Sequence, residues 1–432
     1  MENIKQSVFG ALNKGVGYII IAYSFLCFLL VSNGYIELVT AMMLFFSFLG
    51  FLGYYGIALG AIIISGPFIS EFSSGYMSIL PYIVFSVSLF VKMLQKRFSL
   101  KSFGIFLICS VYALISYISG YEPDVVYLLL QIVCIFLFYT ISNSFSIEEI
   151  SITIFSYICG GLLILLYIYS GGVTTFYTET GRLGFGEHIK TLSFICAIPM
   201  VFLLFSILNR SYLFDNMTKK INRIIEVILF LVLLLAVIMT LARGLIIAVL
   251  IGTLLMLVLT KKSGNTILGF LVVTVVTMWA YSYVESLDAL RIDRLFAYDE
   301  FASGNGRTEI WLKHLTSMKE LGFHYVLMGV GPGNISRIPN TMDAYAHSMI
   351  FDYFFSYGII GFLTFLIVEF VTLKKLYIKN NVIPFVVIIV FLLAYLTHGG
   401  APNITFFVLQ GLMLAYARQN DISVIKINTK IK

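Results

Sequence analysis

Residues 224–260 read IIEVILFLVLLLAVIMTLARGLIIAVLIGTLLMLVLT. Two apolar runs, 224–240 and 244–260, are parted by little more than Leu241, Ala242 and Arg243. At about 1.5 Å per residue, each run as a helix comes close to the ~30 Å thickness of a bilayer's hydrocarbon. Similar runs recur along the chain, at about 17–32, 77–94, 102–120, 125–142, 150–169, 191–208, 265–283, 346–372, 382–398 and 403–417. Only helices and closed barrels satisfy their backbone groups in lipid. These runs are continuously apolar rather than alternating, which selects helices. The stretch 36–66 is too long for one crossing and short for two, and a hairpin broken near Gly50, Gly53 and Gly56 resolves it. The expected fold is an all-α polytopic membrane protein with about 12–14 transmembrane helices.

Composition points the same way. Of 432 residues, 59% are hydrophobic and only 12% charged, against roughly 25% charged in soluble domains. The formal charge of +6 does not imply nucleic acid, because the cations sit in short loops between spans. Lys92, Lys96, Arg97 and Lys101, then Arg210, Lys219, Lys220 and Arg223, then Lys261 and Lys262, then Lys374, Lys375 and Lys379 mark cytoplasmic loops. With the basic N-terminus and a tail carrying Arg418, Lys426, Lys430 and Lys432, they predict that both termini are cytoplasmic. Lys5 and Lys14 precede a first span with no small-x-small cleavage site after it, so that span is expected to be retained. The five cysteines all lie in apolar runs with no C-x-x-C or Cys/His cluster, which favours small lipid- or core-facing residues over zinc or disulfides. No cofactor and no metal site is expected.

Three parts follow along the chain: an N-terminal transmembrane bundle at 1–283, a large outward loop at 284–345, and C-terminal transmembrane helices with a cytoplasmic tail at 346–432. The loop mixes eight acids with six bases, unlike the basic inner loops. Within it, Trp311, Leu315 and Met318 follow helical spacing between Thr308 and Leu321, with Lys313, Lys319 and Glu320 off the stripe. This is an amphipathic helix that either lies on the membrane or caps a cavity, or else packs on the spans.

Candidate chemistry gathers around the outward face. Arg243 opens a span where cations run against the positive-inside bias, so a role in binding competes with simple snorkelling. Arg307, in Ser303-Gly-Asn-Gly-Arg307, begins the amphipathic helix, where a guanidinium could grip phosphate beside the helix N-terminus. Arg182, in Gly181-Arg-Leu-Gly184, is a weaker member of the set, equally readable as a loop cation. His347, in Tyr345-Ala-His-Ser348, stands at the membrane boundary, where a neutral imidazole can take a proton from a hydroxyl, with Asp343 or Asp352 available to orient it. A capping role competes. His188, His314, His324 and His398 lack comparable surroundings. Gly329-Val-Gly-Pro-Gly-Asn334 lacks the Lys-Ser/Thr of a P-loop and reads as a turn-rich link. Glu122-Pro-Asp124 reads as a turn rather than a metal pair.

In their order, Leu-Ala-Arg243-Gly, Gly-Arg307 with Trp311, Gly-Val-Gly331-Pro-Gly-Asn and Ala-His347-Ser348 resemble the O-antigen polymerase/O-antigen ligase superfamily of bacterial surface-polysaccharide enzymes. After Ser348 come nine residues and then Gly358-Ile-Ile-Gly361, which matches that family's pattern, and the resemblance is close over about 240–365. It implies a GT-C-like, metal-independent, inverting glycosyltransferase in the bacterial inner membrane, using an undecaprenyl-pyrophosphate-linked oligosaccharide as donor. Membrane lipids and a chain-length regulator protein would be its partners. It also implies that Arg243 and Arg307, with Arg182 less surely, hold the pyrophosphate, that His347 acts on the acceptor hydroxyl, and that Ser348 contacts substrate. The Phe-, Tyr- and Ile-rich composition resembles the polymerases more than the ligases, and a capsule polymerase would share every motif. A lipid-linked oligosaccharide flippase is the different-class alternative. It would favour paired repeats and midplane charges, whereas Glu37, Glu226 and Glu369 lie toward span ends and no repeat is evident.

Overall fold

The computed structural model describes residues 12–72, 79–95, 100–121, 124–170, 189–209, 219–240, 242–260, 307–333, 335, 338–339, 346, 348–378, 381–397 and 403–430. Helices α1 (Lys14–Ser32), α2 (Ile36–Phe48), α3 (Tyr55–Phe72), α4 (Leu80–Gln95), α5 (Leu100–Ile118), α6 (Val125–Ser144) and α7 (Ile147–Tyr169) come first. They are followed by α8 (Ile189–Asn209), α9 (Lys219–Met239), α10 (Arg243–Thr260), α11 (Arg307–Leu321) and α12 (Phe323–Met328). The last three are α13 (Met349–Ile378), α14 (Val382–Thr397) and α15 (Ile404–Lys430). No strand occurs among the described residues. Among the described residues five helices are long and apolar enough to cross a membrane, α1, α6, α7, α9 and α13, and shorter apolar helices accompany them. The chain is an all-α polytopic membrane protein. The run at 265–283 lies outside the described residues.

Contacts divide the chain into two units, one of 1–92, 145–292 and 418–432, the other of 93–144 and 293–417. In the first unit α7 is the central post, buried along most of its length, as expected for a helix apolar on every side. It starts on a capping box, with Ser146 and Glu149 exchanging side chain-to-backbone bonds. The expected hairpin at 36–66 is present. A 3-10 turn (Leu49–Leu52) ends α2 at Gly53, whose φ of 94° supports the bonds Gly53 N–H to Gly50 O and Tyr54 N–H to Leu49 O. That pair is a Schellman motif. Gly56, expected in the break, instead lies within α3. A Cβ there would come within 3.1 Å of Glu149 Cα, so Gly56 lets α3 press directly on α7.

Three stretches of the first unit meet at one end. Lys92 Nζ lies 2.6 Å from Glu149 Oε1 and 3.8 Å from the centre of the Tyr55 ring. Arg418 Nη2 and Gln419 Nε2 each donate to Phe145 O at 2.9 Å. The end of α4, the start of α7 and the middle of α15 at Arg418 and Gln419 therefore meet.

In the second unit the expected single span at 346–372 proves to be two helices. Gly358 breaks α13 with φ 63° and ψ −171°. Further along, Glu369 is buried and accepts a bond from Gln410 Nε2 at 2.5 Å, while Tyr353 Oη donates to Gln131 Oε1 at 3.1 Å. Polar side chains facing each other between helices satisfy groups that lipid cannot.

Candidate functional site

The break in α13 frees carbonyls that an unbroken helix would use, and the second unit caps them. Val330 N–H donates to Phe355 O at 2.9 Å and Gly331 N–H to Ser356 O at 3.0 Å. Tyr112 Oη donates to Tyr357 O at 2.6 Å, and Ser116 Oγ lies 3.0 Å from both Met328 O and Ser356 O. Val330 O accepts from Tyr121 N–H at 2.7 Å, so the segments 121–124 and 284–345, both expected to face outward, meet at one end. The Gly-Val-Gly-Pro-Gly segment is thus the turn-rich link expected from sequence, and its backbone replaces the missing helical bonds of α13.

Above this break, α11 lays its stripe onto the start of α13. Met318 is fully buried with Val330, Ile335, Ile338, Ala346 and Phe355, and Trp311 and Leu315 pack against that group. Of the orientations open from sequence, packing on the following helix is the one the stripe adopts. Trp311 stacks on Phe351 with centroids 3.9 Å apart and planes 19° off parallel, while its Nε1–H donates to Ala346 O at 2.8 Å. On the outer face Lys313 pairs with Glu309 at 2.8 Å, one turn apart. That ammonium, through a hydrogen bond and its charge, holds the Glu309 carboxyl below its ordinary range.

The expected site residues distribute as follows. Arg307 is the first residue of α11 and half-buried. His347 lies outside the described residues, but its neighbours Ala346 and Ser348 are both fully buried. Ser348 holds the N-cap position of α13, its carbonyl accepting from Asp352 N–H at 2.8 Å. Its hydroxyl is buried with no hydrogen-bond partner among the described residues, although an N-cap serine ordinarily bonds the first-turn amides. Asp352, one turn on, is buried as well. Arg243 is the first residue of α10 and belongs to the first unit, with three residues between it and the end of α9 at Met239. Arg182 lies outside the described residues, as do His188, Asp343 and His398. Asp124 accepts from Val126 N–H at 2.8 Å and caps α6, in keeping with the turn expected there.

The structure thus gathers the helix that begins at Arg307 and the chain on both sides of His347 into one small cap, one helical turn separating Arg307 from the Trp311 clasp. Sequence reasoning passed over His314. It is fully buried, its Nδ1 is 2.8 Å from Ile310 O, and its ring stacks on Phe355 at 5.0 Å. The signal was present, since 311, 314, 315 and 318 form the i, i+3, i+4, i+7 face of one helix.

Fold and site together define a multi-pass, all-helical membrane protein in whose second unit the helix beginning at Arg307 packs against the chain at Ala346 and the start of α13. Residues 228–366, about a third of the chain, match the family model described as O-Antigen ligase. That match supports a likeness to the O-antigen ligase/polymerase superfamily, whose members are glycosyltransferase-like enzymes acting on polysaccharides. Neither a curated protein nor a solved structure matches the chain.

Proposed function

We propose that this protein is a surface-polysaccharide polymerase that transfers an undecaprenyl-pyrophosphate-linked glycan onto a lipid-linked repeat unit at the outer face of the inner membrane. The observation supporting this most directly is that the family match at 228–366 encloses Arg243, Arg307 and His347, together with the clasp that ties the helix of Arg307 to the chain beside His347. The acceptor hydroxyl attacks the anomeric carbon, the bond from that carbon to the pyrophosphate oxygen breaks, and the configuration inverts. His347 takes the hydroxyl proton as general base. Arg243 and Arg307, with Arg182 contributing, hold the negative charge that grows on the departing undecaprenyl pyrophosphate. Outside the cytoplasm there is no nucleotide-sugar pool, so the lipid pyrophosphate itself supplies the driving force. Ser348 contacts the sugar, and a chain-length regulator protein sets product length.

A ligase acting on the lipopolysaccharide core, or a capsule polymerase, would use the same residues with a different acceptor. Gel analysis of surface polysaccharide separates them. A deletion strain should carry core capped with a single repeat unit, wild-type complementation should restore the ladder, and His347→Ala should not. Core with no repeat unit identifies the ligase. An intact ladder in the deletion strain overturns both readings, and failure to export lipid-linked units would point to the flippase.

A further inference from the structure

We propose that Trp311 is a positioning residue for the transfer reaction, holding the peptide bond that leads into His347. This rests on the function proposed above and adds to it a residue with no assigned role. The indole has two separate attachments. Its ring stacks on Phe351 of α13, and its Nε1–H donates to Ala346 O. That carbonyl belongs to the peptide whose nitrogen is His347's own. Because a peptide unit is planar, fixing its oxygen fixes the direction in which the chain enters the next Cα. Phe351 lies four residues beyond His347, so one rigid side chain grips the backbone before the histidine and a ring one turn after it. Ala346 and Ser348 are both fully buried, so the grip acts inside packed protein.

A packing role alone would need only the ring. The acceptor that the half-buried indole N–H uses is the carbonyl directly preceding the candidate base. Reaction rates are sensitive to such placement, since a shift of ~1 Å can cost about a hundredfold. Trp311 also lies one turn from Arg307 on the same helix, so the residue that places the base is rigidly connected to one proposed to hold the leaving group.

The test uses the purified full-length protein in nanodiscs, with lipid-linked glycan extracted from the deletion strain as substrate. Trp311→Phe keeps a ring to stack on Phe351 and removes the N–H, together with part of the indole's packing volume. The expected result is a roughly ten- to hundredfold fall in kcat, with KM for the lipid-linked glycan within about twofold and the melting temperature little changed. Trp311→Ala, which also loses the stack, should lower the melting temperature. Wild-type kcat in Trp311→Phe overturns the proposal. So does a loss of activity that tracks the folded fraction, which is what packing alone predicts. His347→Ala run in parallel separates the two levels: if it retains full activity, the proposed function fails and the positioning role falls with it. If it is inactive while Trp311→Phe is normal, only the positioning role fails.

Discussion

Gly329 and Gly358 are pressed backbone to backbone. Both have positive φ, 84° and 63°, and a Cβ on Gly358 would lie 2.6 Å from Gly329 N as well as overlapping the Leu327 carbonyl. A Cβ on Gly329 would overlap the Ser356–Tyr357 peptide in turn. Two glycine motifs about thirty residues apart in sequence are therefore two halves of one joint. Replacing either with alanine imposes a left-handed conformation worth about 1–3 kcal/mol and forces the backbones apart. Gly329→Ala and Gly358→Ala should each lower the melting temperature of the purified protein markedly. Gly104→Ala, in α5 with nothing within 4 Å of the added methyl, should be neutral or gain up to about 1 kcal/mol from helix propensity. Equal melting temperatures across the three would dissolve the joint.

The carbonyls released by that joint depend on α5. Removing Ser116 Oγ or Tyr112 Oη leaves a buried acceptor short of a donor, which costs about 1–3 kcal/mol. Ser116→Ala and Tyr112→Phe should each destabilise by that order. Because both serve one break, the double variant should depart from the sum of the two by more than about 0.5 kcal/mol. Strict additivity in thermal unfolding would mean that the two caps act independently.

Much of this was legible in the sequence, and the exceptions have physical causes. The break at Gly53 could be located because the apolar stretch was the wrong length for one helix. The break at Gly358 could not, because 346–372 is apolar throughout and hydropathy does not register a change of backbone direction. What permits the break is a loop some thirty residues earlier whose amides substitute for helical ones. Gly56 reads as turn punctuation in the sequence, yet its use is the close approach of α3 to α7. His314 reads as an isolated histidine in the sequence, although it occupies the buried face of α11.

In the first unit, the charge of Lys92 has two partners. Its ammonium bonds Glu149 and faces the Tyr55 ring, and its side chain is only 9% exposed against 15% for that of Glu149. Removing the ammonium leaves the half-buried Glu149 carboxylate with Ser146 as its remaining hydrogen-bond partner, at a cost below the about 3–5 kcal/mol of a fully buried pair. Lys92→Met should therefore destabilise more than Lys92→Met combined with Glu149→Gln, even though the second change also weakens the α7 capping box. If the double variant proves the less stable one, the capping box outweighs the ion pair.

Arg243 combines an electrostatic cost with a proposed use. As the first residue of α10 it places a cation where the helix dipole is already positive, an unfavourable arrangement of about 0.3–1 kcal/mol. A chain selected for stability alone would set an acid or a neutral cap there. An anion bound at that end reverses the balance, since the guanidinium and the first-turn amides would then both attract it. Arg243→Gln should accordingly raise the melting temperature slightly while abolishing the polysaccharide ladder in a complemented deletion strain. Arg243→Lys retains the charge and its cost but loses the planar fork that grips phosphate through two parallel bonds, so the ladder should be lost or severely shortened with stability unchanged. A full ladder from the lysine variant would show that charge alone suffices at this position. A full ladder from the glutamine variant would remove Arg243 from the chemistry altogether.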